Sequence, residues 1–251
     1  MIRTLVTASA LALTVAGSAA TAETDLTSMT DAERAAFRDE VRAYLLDNPE
    51  IIMEAVNVLE QRQAAEAVNT DRSLVETHQT AIFEDGFSWV GGNPDGDITL
   101  VEFLDYRCGY CRKASAEVEQ LIESDGNIRF IVKEFPILGE ESVISSRFAL
   151  AVRAVAGDDA YKEAHDALIT YKGSYAEPAL RRLAEGLGVD ADAVIAGMSD
   201  PAINEILQAN RELANSLQIS GTPTFVMDDT MLRGYVPLAQ MQAIADDIRT
   251  Q

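Results

Sequence analysis

The chain has 251 residues, 47% of them hydrophobic and 6% aromatic, enough for one full-sized core and a small accessory domain. Its formal charge is −21, with 41 acidic against 20 basic side chains. So acidic a surface argues against nucleic acid and anionic membranes as partners, and is silent on fold.

Residues 1–22 carry Arg3, an apolar run from Leu5 to Val15, and small residues ending in Ala20-Thr21-Ala22. That order predicts a secretory signal peptide cleaved after Ala22, because the run is too short to span a bilayer. An uncleaved N-terminal anchor is the alternative. Cleavage removes Arg3 and no acid, which takes the charge to −22. The mature protein is expected in an exported compartment where disulfides persist.

Residues 23–86 are nearly free of Gly and aromatics and rich in Ala, Glu, Gln and Arg, which predicts a helical arm. One helix runs from the Thr30-Asp31 cap region toward Leu46, and a second restarts with Asn48 as N-cap and Pro49 in its first turn. On the second, Ile52, Val56, Leu59, Gln63 and Ala67 trace a narrow apolar stripe. The stripe admits two readings: a homo-oligomerisation stalk within residues 23–84, or an arm lying back on its own domain.

The domain predicted over residues 87–251 opens with Phe87-Ser-Trp-Val as a short strand and a Gly-Gly-Asn-Pro-Asp-Gly turn. The nearly unbroken apolar run from Ile98 to Leu104 predicts a strand covered on both faces. It leads into Cys108-Gly109-Tyr110-Cys111, which holds both cysteines of the chain. From Cys111 onward, Ala114, Val118, Leu121 and Ile122 recur at helical spacing. Cys108 therefore falls at an open helix N-terminus, where unpaired N–H groups and the positive dipole end favour a thiolate. Cys111 falls on the buried stripe, as a resolving thiol. Arg107, Arg112 and Lys113 either support the anion or are ordinary solvated side chains.

A permanent staple closing so short a loop would restrain the unfolded chain very little. Zinc needs about four ligands, and besides the cysteines the chain offers only His78 and His165, neither in a ligand-spaced motif, so no metal is expected. Both histidines read as helix-surface or satisfied core residues. A redox centre needing no cofactor besides a Cys108–Cys111 disulfide is the reading that remains.

Asn127 to Glu134, around Ile128-Arg-Phe-Ile-Val, predicts another strand, giving a parallel βαβ unit. A helical insertion follows over about 140–218, divided near Gly157, Gly173, Gly186 and Pro201. Ile219-Ser-Gly-Thr222-Pro223 then leads into a hairpin with Asp228-Asp229 at its turn, and a last helix from Pro237 to Arg249. Pro223 cannot donate to a ladder, and a cis Thr222–Pro223 bond accounts for its place ahead of a buried strand.

A C-x-x-C after a central strand, a helical insertion after the next strand and Gly-Thr-Pro before a terminal hairpin and helix resemble the thioredoxin-fold proteins of the DsbA class. The implied architecture is α/β: a thioredoxin fold with a helical insertion, preceded by the helical arm. The resemblance implies an enzyme, a periplasmic protein thiol-disulfide oxidoreductase, with Cys108 as nucleophile and Cys111 as resolving thiol. Thr222 and Pro223, with Gly109 and Tyr110, would face the substrate. Glu102 matches the family's buried acid. On an alternating strand it shares a face with Leu100 and Leu104, so it is either desolvated and suited to relaying a proton from Cys111 or an edge residue reaching water. Asp105 stands nearer the loop, where a plain turn residue is one reading of it.

The strongly oxidising members carry Pro-His between the cysteines, whereas Cys-Gly-Tyr-Cys resembles the disulfide isomerases of the DsbC type. The long arm and Phe135-Pro-Ile-Leu-Gly are similar to the ScsC-like branch linked to copper tolerance, some of whose members oligomerise through such an arm. The implied partners are exported client proteins with thiols or disulfides and a membrane redox partner that recycles the site. Two rival readings stand: a periplasmic Cu(I) carrier using Cys108 and Cys111 as soft ligands, and a non-enzymatic oligomeric scaffold.

Overall fold

The structure, a computed structural model, describes residues 27–250; the expected leader and its cleavage point lie outside them. The described residues form α1 (Asp31–Asp47), α2 (Glu50–Phe83), β1 (Trp89–Gly92), β2 (Ile98–Leu104), α3 (Gly109–Asp125), β3 (Ile128–Glu134), α4 (Glu140–Thr170), α5 (Glu177–Gly186), α6 (Ala191–Gly197), α7 (Pro201–Ser216), β4 (Thr224–Met227), β5 (Thr230–Arg233) and α8 (Leu238–Thr250). They divide into two units, with the boundary inside α2 between Glu60 and Gln61.

In the first unit, Thr30 and Glu33 close a reciprocal capping box at the start of α1. Phe37, Val41 and Tyr44 of α1 and Ile52, Val56 and Leu59 of α2 are exposed. Asn48, expected to cap the second helix, instead closes the first. Its backbone N–H and its side-chain Nδ2 both donate to the Tyr44 carbonyl, each at 2.9 Å, and α2 begins at Glu50. An amide can donate as well as accept, so between two helices it can serve the carbonyls of the one it ends.

The second unit is built on a five-stranded sheet in the order β1-β3-β2-β4-β5, parallel between β2 and β3 and antiparallel elsewhere. Strand β2 is central, with Glu102 opposite Val132 of β3 and Phe225 of β4. Alternation sends Leu100 and Leu104 into one cluster with α3, α4 and α8, and Val101 and Phe103 into another with α7 and the end of α2. The sequence reading set the arm's boundary at residue 86. In the fold Val75 and Ile82 of α2 pack against Val101, Phe103 and Ile131, so this stretch of helix belongs with the sheet. Two apolar contacts seven residues apart in a polar helix were too sparse a pattern to show that.

Lys133 of β3 fastens the same junction. Its side chain is wholly buried, and its Nζ donates to the Ala81 carbonyl at 2.8 Å and to Asp85 Oδ2 at 2.5 Å. Burial pushes the Asp85 carboxyl up, but Lys133 and Ser88 outweigh it and hold the carboxyl below its usual range. Lys133→Met removes the cation and leaves a nearly buried carboxylate, so it is expected to cost about 3 kcal/mol. A denaturant midpoint at neutral pH checks this, and a loss that grew no smaller as Asp85 is protonated in acid would contradict it.

Candidate active site

Helix α3 starts immediately after Cys108, which is its N-cap with an extended backbone (φ −74°, ψ 120°) and a sulfur accepting the Cys111 N–H at 3.4 Å. Gly126, at φ 71°, ends the helix in the left-handed region that glycine tolerates best. The N-terminal amides of α3 thus converge on one sulfur, while Cys111, one turn on, is sealed inside. The two cysteines are free thiols.

Their electrostatics differ accordingly. The Cys111 thiol beside it, the Thr222 side chain and the Cys111 and Tyr110 amides bring Cys108 down to about 5, against a smaller opposing effect of burial. Burial pushes Cys111 far up, helped by its hydrogen bond to Cys108 and by Glu102. Such a pair offers a thiolate at the helix end that is 7% exposed and, behind it, a fully buried thiol that ionises only when its proton has a destination.

Across the site, the Thr222–Pro223 bond is cis. The Cys108 thiol donates to the Thr222 carbonyl at 3.1 Å. Gly234 N–H bonds the Pro223 carbonyl at 3.0 Å, tying this loop to the end of β5. Tyr110 is 63% exposed and stacks on Tyr235 with ring centroids 6.3 Å apart. Lys113 Nζ stands 3.9 Å from the centre of the Tyr235 ring. The Tyr235 hydroxyl donates to Glu117 Oε1. A Cβ on Gly109 would meet nothing within 4 Å, so this glycine leaves open space beside the sulfur.

Glu102 lies on the central strand and is buried, which removes the edge reading. Burial, the Cys108 charge and Glu134 together push its carboxyl up to about 8. The fold brings Cys108, Cys111, Thr222, Pro223 and Tyr110 together beyond the end of β2, with Glu102 inside that strand behind them.

It also adds residues that reading missed. Asp105 is fully buried and more than a turn residue: Oδ1 accepts Arg107 N–H at 2.8 Å, and Oδ2 accepts Ile137 and Leu138 N–H at 2.8 and 3.0 Å. It thereby clamps the active-site loop to the segment after β3. Next to it, Tyr106 and Tyr161 donate to Glu134 Oε1 at 2.8 and 2.6 Å, and Ser146 donates to Oε2 at 2.7 Å. His165, 3.2 Å from the Tyr106 hydroxyl, is a buried core histidine that burial and Lys162 keep neutral, near 4. With the Tyr106 proton on Glu134, the His165 Nδ1–H donates to the Tyr106 oxygen. No periodicity announces such a cluster, because its members come from the active-site loop, β3 and α4.

Comparison with known proteins agrees with this geometry. The DSBA-like thioredoxin domain family matches residues 99–245, and the copper resistance protein ScsC N-terminal domain matches residues 33–66. A thioredoxin-like oxidoreductase from Silicibacter pomeroyi is 38% identical, with a TM-score of 0.64, covering 69% of this chain and 98% of that one. Proteus mirabilis ScsC in a transitional conformation is 27% identical, with a TM-score of 0.63, covering 87% of this chain and 98% of that one. Among curated proteins, Na(+)/H(+) antiporter NhaA 3 of Salinispora tropica is 28% identical over 139 residues, which are 55% of this chain and 21% of that protein. The chain thus spans about a fifth to a quarter of the length of the curated relatives it matches. With 59% of its length matched by one family model, the chain belongs to the DSBA-like thioredoxin domain family, and residues 33–66 ahead of that domain are similar to the ScsC N-terminal domain.

Proposed function

We propose that the chain is an exported, periplasmic thiol-disulfide oxidoreductase that forms or isomerises disulfides in client proteins, with Cys108 and Cys111 as its redox pair. One observation carries the reading: an N-cap thiol held near 5 touches the Thr222 carbonyl, and its partner thiol is buried one turn behind. A staple would have no use for such asymmetry.

In the oxidising direction a client thiolate attacks Cys108 Sγ, and the Cys108–Cys111 bond breaks. Cys111 leaves as a thiolate and takes the proton held by Glu102. A second client thiolate attacks the client sulfur of the mixed disulfide, and Cys108 leaves as a stabilised thiolate. The client loses two electrons and the pair gains them; a membrane redox partner then reoxidises the pair. A thiolate at Cys108 no longer donates to Thr222, so that carbonyl becomes free to pair with a client strand lying along the Thr222–Pro223 loop. Tyr110 and Tyr235 offer the client an aromatic surface. Isomerisation uses the same chemistry from the reduced state, with Cys108 attacking a wrong client disulfide.

The test is turnover of a reduced, unfolded client by the oxidised chain, alongside rearrangement of a scrambled client by the reduced chain. Tyr110→Ala is expected to raise KM for an unfolded client several-fold, while the pair's reactivity toward a small dithiol stays unchanged. Tight stoichiometric Cu(I) binding without turnover in either assay would replace this reading with a copper carrier.

A further inference from the structure

Arg107, Arg112 and Lys113 surround the redox turn in a chain whose formal charge is −21. Two of the three are committed to the protein itself. Arg107 pairs with Glu141 Oε2 at 3.0 Å, and Arg112 donates to the Tyr106 and Tyr171 carbonyls at 3.0 and 2.7 Å. Lys113 is exposed and, among the described residues, forms no ion pair. Glu117, the acid one turn further along α3, is already taken: Oε1 accepts the Tyr235 hydroxyl at 2.5 Å, and Oε2 accepts the Leu238 N–H at 2.6 Å.

Tyr110, Lys113 and Glu117 fall on one face of α3, at the i, i+3 and i+7 spacing that aligns side chains along a helix. Tyr235 lies along that face. Its ring stacks with Tyr110, its hydroxyl is fixed by Glu117, and the Lys113 ammonium rests 3.9 Å from its centre. A ring engages one side of an ammonium and leaves its other donors free. The Pro223 carbonyl accepts the N–H of Gly234, the residue before Tyr235, so a client strand on the Thr222–Pro223 loop has this platform as its neighbour.

We propose that Lys113, held on Tyr235, selects clients that carry an acidic side chain next to the reacting cysteine. The inference deepens the oxidoreductase reading above and rests on it. An acid beside a cysteine disfavours the thiolate by like-charge repulsion, so such cysteines react slowly with an ordinary disulfide. Lys113 offsets that charge while the client thiolate attacks Cys108 Sγ and the Cys108–Cys111 bond breaks. Reduction then leaves Cys108, held near 5, as a thiolate at neutral pH at the same end of α3. The new negative charge repels the client acid and favours release. A lysine beside the client cysteine meets the opposite balance and is repelled before the reaction.

The experiment uses the oxidised full chain and three single-cysteine peptides with Asp, Asn or Lys on both sides of the cysteine. Two peptide molecules join in a disulfide as the Cys108–Cys111 bond is reduced, and initial rates are compared at equal peptide thiolate concentration. The salt is held at about 0.15 M, where the negative field of the whole chain is screened beyond about 8 Å. The Asp peptide is expected to react about three- to fivefold faster than the Asn peptide, the range of an exposed ion pair, and the Lys peptide more slowly than either. Raising the salt to about 1 M should bring the three rates together. Lys113→Gln should bring the Asp-to-Asn ratio to one, Lys113→Glu should invert it and Lys113→Arg should keep it, a pattern that a merely structural role would not produce. A wild-type chain that fails to distinguish the Asp and Asn peptides, or a preference that survives Lys113→Gln, would overturn the selection. A chain that orders the peptides this way yet neither oxidises nor rearranges a protein client refutes the oxidoreductase reading and leaves the selection standing. One that turns over protein clients and oxidises all three peptides at one rate does the reverse.

Discussion

Cys108→Ser is expected to abolish client oxidation, and Cys111→Ser to accumulate mixed disulfides with clients through Cys108. The asymmetry follows from the helix terminus. A serine at residue 108 still caps α3 but cannot form a sulfur–sulfur bond, whereas a serine at residue 111 leaves the nucleophile intact and removes the group that expels the client. Alkylation of the wild type against pH should show a midpoint near 5 for Cys108 and no reaction at Cys111 in the folded chain. A midpoint near the free-thiol value of about 8.5 would remove the argument from the N-cap.

The same shift sets a sign for the redox chemistry. Cys108 is depressed in the folded state, so its contribution to the stability of the reduced form is complete above the free-thiol value and is lost as the pH falls through about 5. Reduction takes up two protons below that point and one above it. The reduction potential should therefore fall by about 60 mV per pH unit in acid and by about 30 mV per unit from there toward neutrality. A single slope across that range would mean that the thiolate gains no stability from the fold. Glu102, pushed up to about 8, keeps its proton over most of this window and so does not mask the break at Cys108.

The redox pair was legible because its signals are local. Two cysteines three positions apart, an apolar run ahead of them and a helical stripe behind fix the strand, the helix terminus and the unequal exposure together. Thr222–Pro223 was legible because a proline directly before a buried strand has few conformations open to it. What escaped was assembled across the chain. Asp105 looks like a turn residue until Ile137 and Leu138 bring their N–H groups to it from 32 and 33 residues away. Glu134, Tyr161 and His165 look like scattered members of a strand and a helix until burial forces their polar atoms to satisfy one another. Tyr235, beyond the hairpin, carries no motif at all and meets Tyr110 only because Gly234 is tied to the proline loop.

The second large effect concerns where the arm ends. A truncation that removes residues through Glu60 should leave a folded domain. One that removes residues through Glu84, nearly the whole of the arm the composition suggests, should not. The second half of α2 covers the sheet with Val75 and Ile82, ion-pairs Asp71 to Arg233 and Arg72 to Asp229, and supplies the Ala81 carbonyl to the buried Lys133. The exposed ion pairs add little. Deleting Val75 and Ile82 and uncovering the Val101, Phe103 and Ile131 side chains beneath them forfeits about 1.5–3 kcal/mol for each side chain whose burial is lost, a sum on the scale of a whole domain's stability. The shorter truncation removes Ile52, Val56 and Leu59, whose exposed stripe is where we propose that copies of the chain associate. An isomerase that must hold a client while its disulfides rearrange gains from several sites facing one another, and a dithiol oxidase working alone does not. The chain lacking residues up to Glu60 is therefore expected to be a folded monomer with client oxidation intact and isomerisation of a scrambled client much reduced. Light scattering and thermal melts on the two truncations and the mature chain, with both client assays, decide the matter. A mature chain that scatters as a monomer would refute the stalk, isomerisation unchanged after the shorter truncation would refute its role, and a stable domain lacking residues up to Glu84 would refute the part given to α2.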